Sequence, residues 1–395
     1  IRNFYLRRAK RILPALFFVI FFVFIISYFY LLPSYFLELS NSVFSILFFF
    51  SNIYFLGNQI EYGNFNSDLN PFLHTWTLSL EEQFYIIFPF FLLFLYKFFP
   101  KKILSILIII IFVSFFSNTL VNYFSSFNNK FFQYDFYLLP FRAWEILLGS
   151  VGALLKFSNN FKKIRKLGDF GFCLILISIF FLNFDTYHLY VKIFLPCLGT
   201  FFIIMSDDDN FTKNFLSNQK LVFIGLISYS LYLWHFPFIS ILKIIDYENI
   251  NYLRNNYYKL FYIIIIFIFS IFSYLCIEKP FRNKKLLSNK IAIKILILSC
   301  AALILICIYS TYTNGIKSRF KNYSLLLKNY QINNNFHLNE WKKDLFKFYS
   351  YKSKKNFDKI ENKSNILIIG NSFAVDIFNL FNENQARFDN LNFLF

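Results

Sequence analysis

Long apolar runs recur along almost the whole chain, and that recurrence leaves very few architectures open. They cover residues 12–32, 41–56, 78–99, 103–124, 138–157, 168–184, 189–206, 221–245, 257–277 and 291–313. About 18 or more consecutive apolar residues suffice for a helix to cross the hydrocarbon of a bilayer. A water-soluble protein would have to bury ten such helices against one another, which the length criterion disfavours. The expected fold is therefore an all-α polytopic membrane protein, with the lipid bilayer as its first partner. In keeping with this, 57% of the 395 residues are hydrophobic and 62 are Phe.

The net charge of +18 would suit a nucleic-acid binder, but its distribution argues against one. Basic residues cluster in short loops beside apolar ends, where they set orientation. No basic stripe interleaves with exposed aromatics, so no nucleic-acid partner is expected. The five cysteines, Cys173, Cys197, Cys276, Cys300 and Cys307, fall in apolar runs without metal-ligand spacing and read as small core residues. No metal site is expected.

Loop charge also orients the chain. With Arg2, Arg7, Arg8, Lys10 and Arg11 in the cytoplasm, run 12–32 leads outward into a loop, 33–40, that has no Lys or Arg. If run 41–56 then crossed fully, the clusters around Lys97, Lys163 and Lys284 would all lie outside. That run has only 16 residues and carries Asn41, Ser42, Ser45, Ser51 and Asn52. Read as an interfacial or re-entrant segment, it returns every cluster to the cytoplasm and leaves about nine crossings. Run 291–313 would then deliver the tail outside.

Several polar groups interrupt the apolar runs. An ionisable side chain at membrane depth costs at least about 2.5 kcal/mol and by default marks a functional site with a partner. In HTWTLSLEEQFYIIFPF, Glu81 and Glu82 stand at the mouth of a run. In LPFRAWEILLGS, Arg142 and Glu145 lie three apart on one helix face. They read equally as a structural ion pair and as a catalytic pair. In GLISYSLYLWHFPF, His235 shares a helix with Ser228, Tyr229, Ser230 and Tyr232. Arg7, Arg8 and Arg11 are orientation charge on the plainest reading, but three guanidinium groups within five positions also make a phosphate clamp.

Taken together, these strings resemble the acyltransferase 3 family, membrane O-acyltransferases that decorate bacterial surface polysaccharides. The resemblance covers residue 1 to about 285. It rests on FYLRRAKRILPA, HTWTLSLEEQFY, the Arg142/Glu145 helix, ISYSLYLWHFPF and IEKPFR, which occur in family order. Thr77 stands where the family usually has Ser, and the family's first two helices, with an Arg and an essential His, do not precede FYLRRAKRILPA. The chain starts without Met, so it is expected to lack its natural start.

The resemblance implies transfer of an acyl group, taken to be acetyl, from cytoplasmic acetyl-CoA or another acyl-CoA. The acceptor would be a hydroxyl of an extracytoplasmic glycan such as O-antigen, capsule or peptidoglycan, presented as a lipid-linked or surface polysaccharide. No permanently bound cofactor is implied. Glu81, Glu82, Arg142, Glu145, Tyr229 and His235 are the catalytic candidates. Arg7, Arg8 and Arg11 would hold the donor phosphates, while His74, Trp76, Gln83, Ser230 and Glu278 would line the site. The location would be the bacterial inner membrane. A transporter or channel using the buried Glu, Arg and His is the alternative, and a non-enzymatic scaffold is a third reading.

Past Asn314 the apolar runs end. The domain plan is therefore a membrane domain over 1–285, a linking helix over 286–313, an extracytoplasmic linker over 314–364, and the start of an α/β domain over 365–395. There NILII reads as a strand leading into Gly370-Asn371-Ser372 and a helical stretch. This resembles the first block of SGNH hydrolases, with Ser372 at the nucleophile position. Asn371 and Phe373 depart from the expected motif. The four histidines, His74, His188, His235 and His337, all precede Ser372, so no working triad is expected in this tail.

Overall fold

The computed structural model describes residues 1–60, 69–125, 134–157, 166–182, 189–206, 210–245, 256–319, 364–367 and 391–394. Two compact units divide the chain, Ile1–Ile316 and Lys317–Phe395. Among the described residues the first contains only helices and the turns between them. Its main helices are α1 (Arg2–Tyr30), α2 (Pro33–Leu47), α3 (Ser51–Ile60), α4 (Trp76–Phe98), α5 (Ile103–Ser125), α6 (Tyr134–Tyr137) and α7 (Leu139–Phe157). They continue as α8 (Leu167–Phe181), α9 (Leu189–Met205), α10 (Phe211–Leu216), α11 (Gln219–Ile245), α12 (Asn256–Ser273) and α13 (Asn289–Tyr312).

Six helices among the described residues are both long and apolar enough to cross a bilayer: Arg2–Tyr30, Leu73–Phe98, Pro100–Ser117, Gln219–Lys243, Tyr257–Arg282 and Asn289–Tyr312. The chain is thus a polytopic membrane protein. The sequence led us to expect about nine crossings, and three of the expected spans differ in kind from these six. Run 138–157 does form a helix, α7, but carries Arg142, Glu145 and Lys156. The apolar helices α8 and α9 are short, at 15 and 17 residues. Run 41–56 is not one helix: it breaks after Leu47, where Phe49 takes φ 58° before α3 begins. No single helix therefore carries that run across.

Helix α1 lies at the centre of the core. Ala15, Leu16, Val19, Ile20 and Val23 recur at helical spacing on its buried side, packed with Phe36 and Val43 of α2, Trp234 of α11 and Leu303 of α13. Phe18 and Phe22 of α1 meet the Trp234 ring edge-on, at 6.0 and 5.0 Å. Elsewhere α8 and α9 approach so closely at Gly171 and Gly199 that a Cβ on either would press into the other's carbonyl oxygen. Small residues allow such close backbone contact between membrane helices.

After α12 the backbone widens into a π turn, Tyr274–Glu278, before a single helical turn, Lys279–Arg282. Pro280 explains the distortion, because it has no N–H to donate and its ring crowds the carbonyl one turn back. Glu278, at the end of the π turn, is buried. At the end of α13, Gly315 adopts φ 80°, and any side chain there would strike the Pro33 carbonyl.

In the second unit two strands are described. Ser364–Leu367 pairs in parallel with Leu391–Leu394, Ser364 opposite Leu391. The first overlaps the strand expected at NILII. Ser372, His188 and His337 lie outside the described residues.

Candidate active site

The N-terminal part of α1 brings its cations against α4. Arg8 donates from Nε to both carboxylate oxygens of Glu82, at 2.9 and 3.2 Å, and its Nη2 lies 2.8 Å from Oε1. This clamp joins residues 74 positions apart. Its guanidinium carbon lies over the Tyr85 ring, 3.3 Å from the centroid, so the charge has a π face as well as an anion. Glu82 is 7% exposed. Glu81, by contrast, is on the solvent side of the same turn, its carboxylate 3.9 Å from Arg8 and its side chain 54% exposed.

Two cavities meet at this clamp. The larger, about 480 Å³, is lined by Arg7, Arg8, Lys10, Arg11, Arg282 and Lys284, with Asn289 at the start of α13. No carboxylate is among its lining residues. The smaller, about 300 Å³, is lined by Arg8, Arg11, Glu81, Tyr85, Tyr229 and Tyr232 among others. Arg8 and Arg11 belong to both. The three arginines expected to hold donor phosphates thus lie together, and the fold adds three cations that spacing along the chain did not single out.

Tyr229 and Tyr232 rise from α11 on the same face. Tyr229 donates its phenol proton to the Ile12 carbonyl at 3.0 Å. Tyr232 donates to the His74 carbonyl at 2.7 Å and is 2.8 Å from the Thr77 hydroxyl. Each phenol has one proton, so neither has one to spare for a substrate oxygen in this state. Arg11 forms no ion pair among the described residues and is the cation left available where the cavities join.

Beside Tyr232 stand two imidazoles. His74 and His235 pack edge-to-face with ring centroids 5.1 Å apart, and His74 lies 4.9 Å from the Tyr232 ring and 5.3 Å from that of Phe236. His74 is 8% exposed, yet neither of its ring nitrogens has a hydrogen-bond partner. His235 Nδ1 lies 2.6 Å from the Tyr232 carbonyl oxygen. A carbonyl only accepts, so Nδ1 carries the proton of the neutral ring and Nε2 carries the lone pair. Backbone geometry thereby orients a basic nitrogen.

The remaining candidates separate into other environments. Arg142 and Glu145 close on each other along α7 in two bonds of 2.7 and 2.8 Å, with the guanidinium 5.1 Å from the Trp76 ring and 5.7 Å from that of Phe136. Neither residue lines the two cavities described above. Gln83 donates to the Phe49 carbonyl and to Asn52, bracing the break before α3. Ser230 donates a hydrogen bond to Glu278, whose other oxygen lies 3.9 Å from Arg282. No cluster of three or more metal-ligating side chains occurs among the described residues.

Lys10, Tyr85, Arg282 and Lys284 escaped prediction because each is unremarkable in its own segment. The available signal was topological: if helix ends return to one membrane face, their terminal cations must share a mouth.

A helical bundle with six candidate membrane spans and a cationic cavity that adjoins a tyrosine-lined one defines a polytopic membrane protein. Comparison with known proteins then identifies it: the Acyltransferase domain model (Acyl_transf_3) matches residues 1–275, and the chain belongs to this acyltransferase family. The match stops just short of the IEKPFR string. The chain is 30% identical over 302 residues to the O-acetyltransferase OatA of Staphylococcus aureus strain NCTC 8325 / PS 47, covering 71% of this chain and 47% of that protein. The same figures hold for OatA of strain MRSA252. The chain thus spans about half the length of these relatives. No solved structure matches it.

Proposed function

We propose that the protein transfers an acetyl group from acetyl-CoA, bound at the cytoplasmic face, to a hydroxyl of an extracytoplasmic glycan such as O-antigen, capsule or peptidoglycan. One observation carries the reading: a cavity lined by six cations and no carboxylate, sharing Arg8 and Arg11 with a second cavity lined by tyrosines and Glu81. Guanidinium and ammonium groups converging in excess of the two carboxylates beside them favour a polyphosphate ligand. The adjoining cavity leaves room for the thioester arm. The names of the S. aureus relatives support O-acetylation as the reaction type.

In this reading the acceptor oxygen attacks the thioester carbonyl. A C–O bond forms as the C–S bond breaks, and coenzyme A leaves as a thiolate. His235 Nε2 takes the hydroxyl proton and returns it to the thiolate. Arg11, where the two cavities join, holds the donor phosphates. Arg8 holds the junction open, with Glu82 and Tyr85 fixing its plane. The Arg142–Glu145 pair braces α7 against Trp76.

Inverted vesicles containing the protein and a glycan acceptor, supplied with acetyl-labelled acetyl-CoA, test this. Label should move to glycan, and His235→Gln should abolish transfer while leaving coenzyme A binding intact. Ion flux without label transfer would instead establish the transporter reading and overturn ours.

A further inference from the structure

The basic cavity is larger, and more strongly cationic, than a pyrophosphate alone requires. Arg8 and Arg11 mark the side where it joins the tyrosine-lined cavity. The other part of its lining includes Arg282 and Lys284, from the segment after the π turn, and Asn289 at the start of α13. That end differs chemically from the Arg8 end. Arg8 is committed to Glu82, whereas Lys284 has no ion pair among the described residues and Arg282 has only a distant one, 3.9 Å from Glu278.

Helix α13 adds a second attraction for an anion. It is 24 residues long and begins at this cavity, with Ser288 capping it by accepting from the Ile291 amide. The positive end of its macrodipole therefore faces the same space as Arg282 and Lys284. Asn289 is tied to α1 through Lys10, whose Nζ donates to Asn289 Oδ1 at 3.2 Å. That bond fixes the helix start against the wall of the cavity.

Resting on the donor reading above, we infer that Arg282 and Lys284, with the first turn of α13, read the ribose 3′-phosphate of the donor. A pyrophosphate held at Arg11, beside the Arg8 clamp, sends the pantetheine arm toward Tyr229 and Tyr232. The nucleotide end then lies in the part of the cavity that Arg282 and Lys284 line. Six cations, two of them facing carboxylates, leave a surplus matched to the four charges of a 3′-phosphorylated adenosine diphosphate. The pair would make the protein specific for coenzyme A thioesters. Donors whose only phosphate is that of phosphopantetheine, such as acyl groups on a carrier protein, would be poorly used.

Binding of coenzyme A and of dephospho-coenzyme A to the full chain in zwitterionic nanodiscs tests this. The wild type should bind coenzyme A at least about tenfold more tightly, as expected for one charge-assisted contact set. Arg282→Gln and Lys284→Gln should each shrink that ratio toward one while leaving dephospho-coenzyme A affinity within about twofold. Lys284 is exposed, so its variant serves if Arg282→Gln disturbs Glu278. A wild-type ratio near one, or a ratio retained in both variants, overturns the inference and leaves the donor reading standing. No binding of either compound refutes the donor reading itself. Loss of the ratio when phosphatidylglycerol replaces the zwitterionic lipid, with coenzyme A affinity falling to that of dephospho-coenzyme A, would assign these cations to a lipid headgroup and also overturn it.

Discussion

The two partly buried Arg–Glu pairs look alike on paper and do different work. Arg142–Glu145 is an i,i+3 pair that closes on one helix, beside Trp76 and Phe136. Arg8–Glu82 joins α1 to α4 across 74 positions, packs on Tyr85 and borders both cavities. A local pair satisfies its own charges and leaves little for a ligand. A long-range pair holds two helices at a set distance, and the space left between them becomes the site.

Breaking the long-range pair should have the largest effect. Arg8→Gln leaves Glu82 buried without its cation, a change that typically costs about 3–5 kcal/mol, and acetyl transfer should fall below detection. Arg142→Gln, measured in the same vesicles, should retain at least about a tenth of wild-type transfer. Equal losses in the two variants would erase the distinction.

Double-mutant cycles sharpen it further. Thermal unfolding in detergent of Arg8→Gln, Glu82→Gln and the double variant should give a coupling of about 2 kcal/mol. The corresponding cycle at Arg142 and Glu145 should give about 0.5 kcal/mol. A contact with no charge at all provides the control: Gly171→Leu, which forces a side chain into the α8–α9 crossing, should destabilise by about 1–3 kcal/mol without coupling to either pair.

The smallest expected effect on transfer concerns a carboxylate with no cation beside it. Glu38 lies on α2, outside the six spans, and burial alone pushes its carboxyl up to about 7. An acid whose folded-state value is raised binds more protons when folded than unfolded. Its contribution to stability is therefore present below the unfolded value near 4.5 and is lost as pH rises through about 7. Glu38→Gln should flatten the fall in melting temperature between pH 5 and pH 8 without changing transfer. An unaltered slope would show that Glu38 is not the titrating group.

Much of this was legible in the chain because lipid imposes a simple rule on it. Run 221–245 reappears as Gln219–Ile245 and run 78–99 as Trp76–Phe98, since length and apolarity decide where a helix can cross. The break at Phe49 was foreshadowed by the polar residues of run 41–56. Partners were harder to read than positions. Spacing within a helix exposes Arg142–Glu145 directly, whereas nothing local in FYLRRAKRILPA says that Arg8 meets Glu82, or that Arg282 and Lys284 come round to Arg7. The orientation of His235 by the Tyr232 carbonyl is a backbone effect and leaves no trace in residue type.

The widened turn at Tyr274–Glu278 has a consequence for phase. An inserted residue in a helix rotates everything beyond it by about 100°. Were one residue deleted there, the ladder would regain ordinary pitch and the Arg282 side chain would swing about a quarter of a revolution round the axis. The irregularity behaves as an angular setting, and a single deletion would dial the guanidinium off its bearing while the helix itself became more regular.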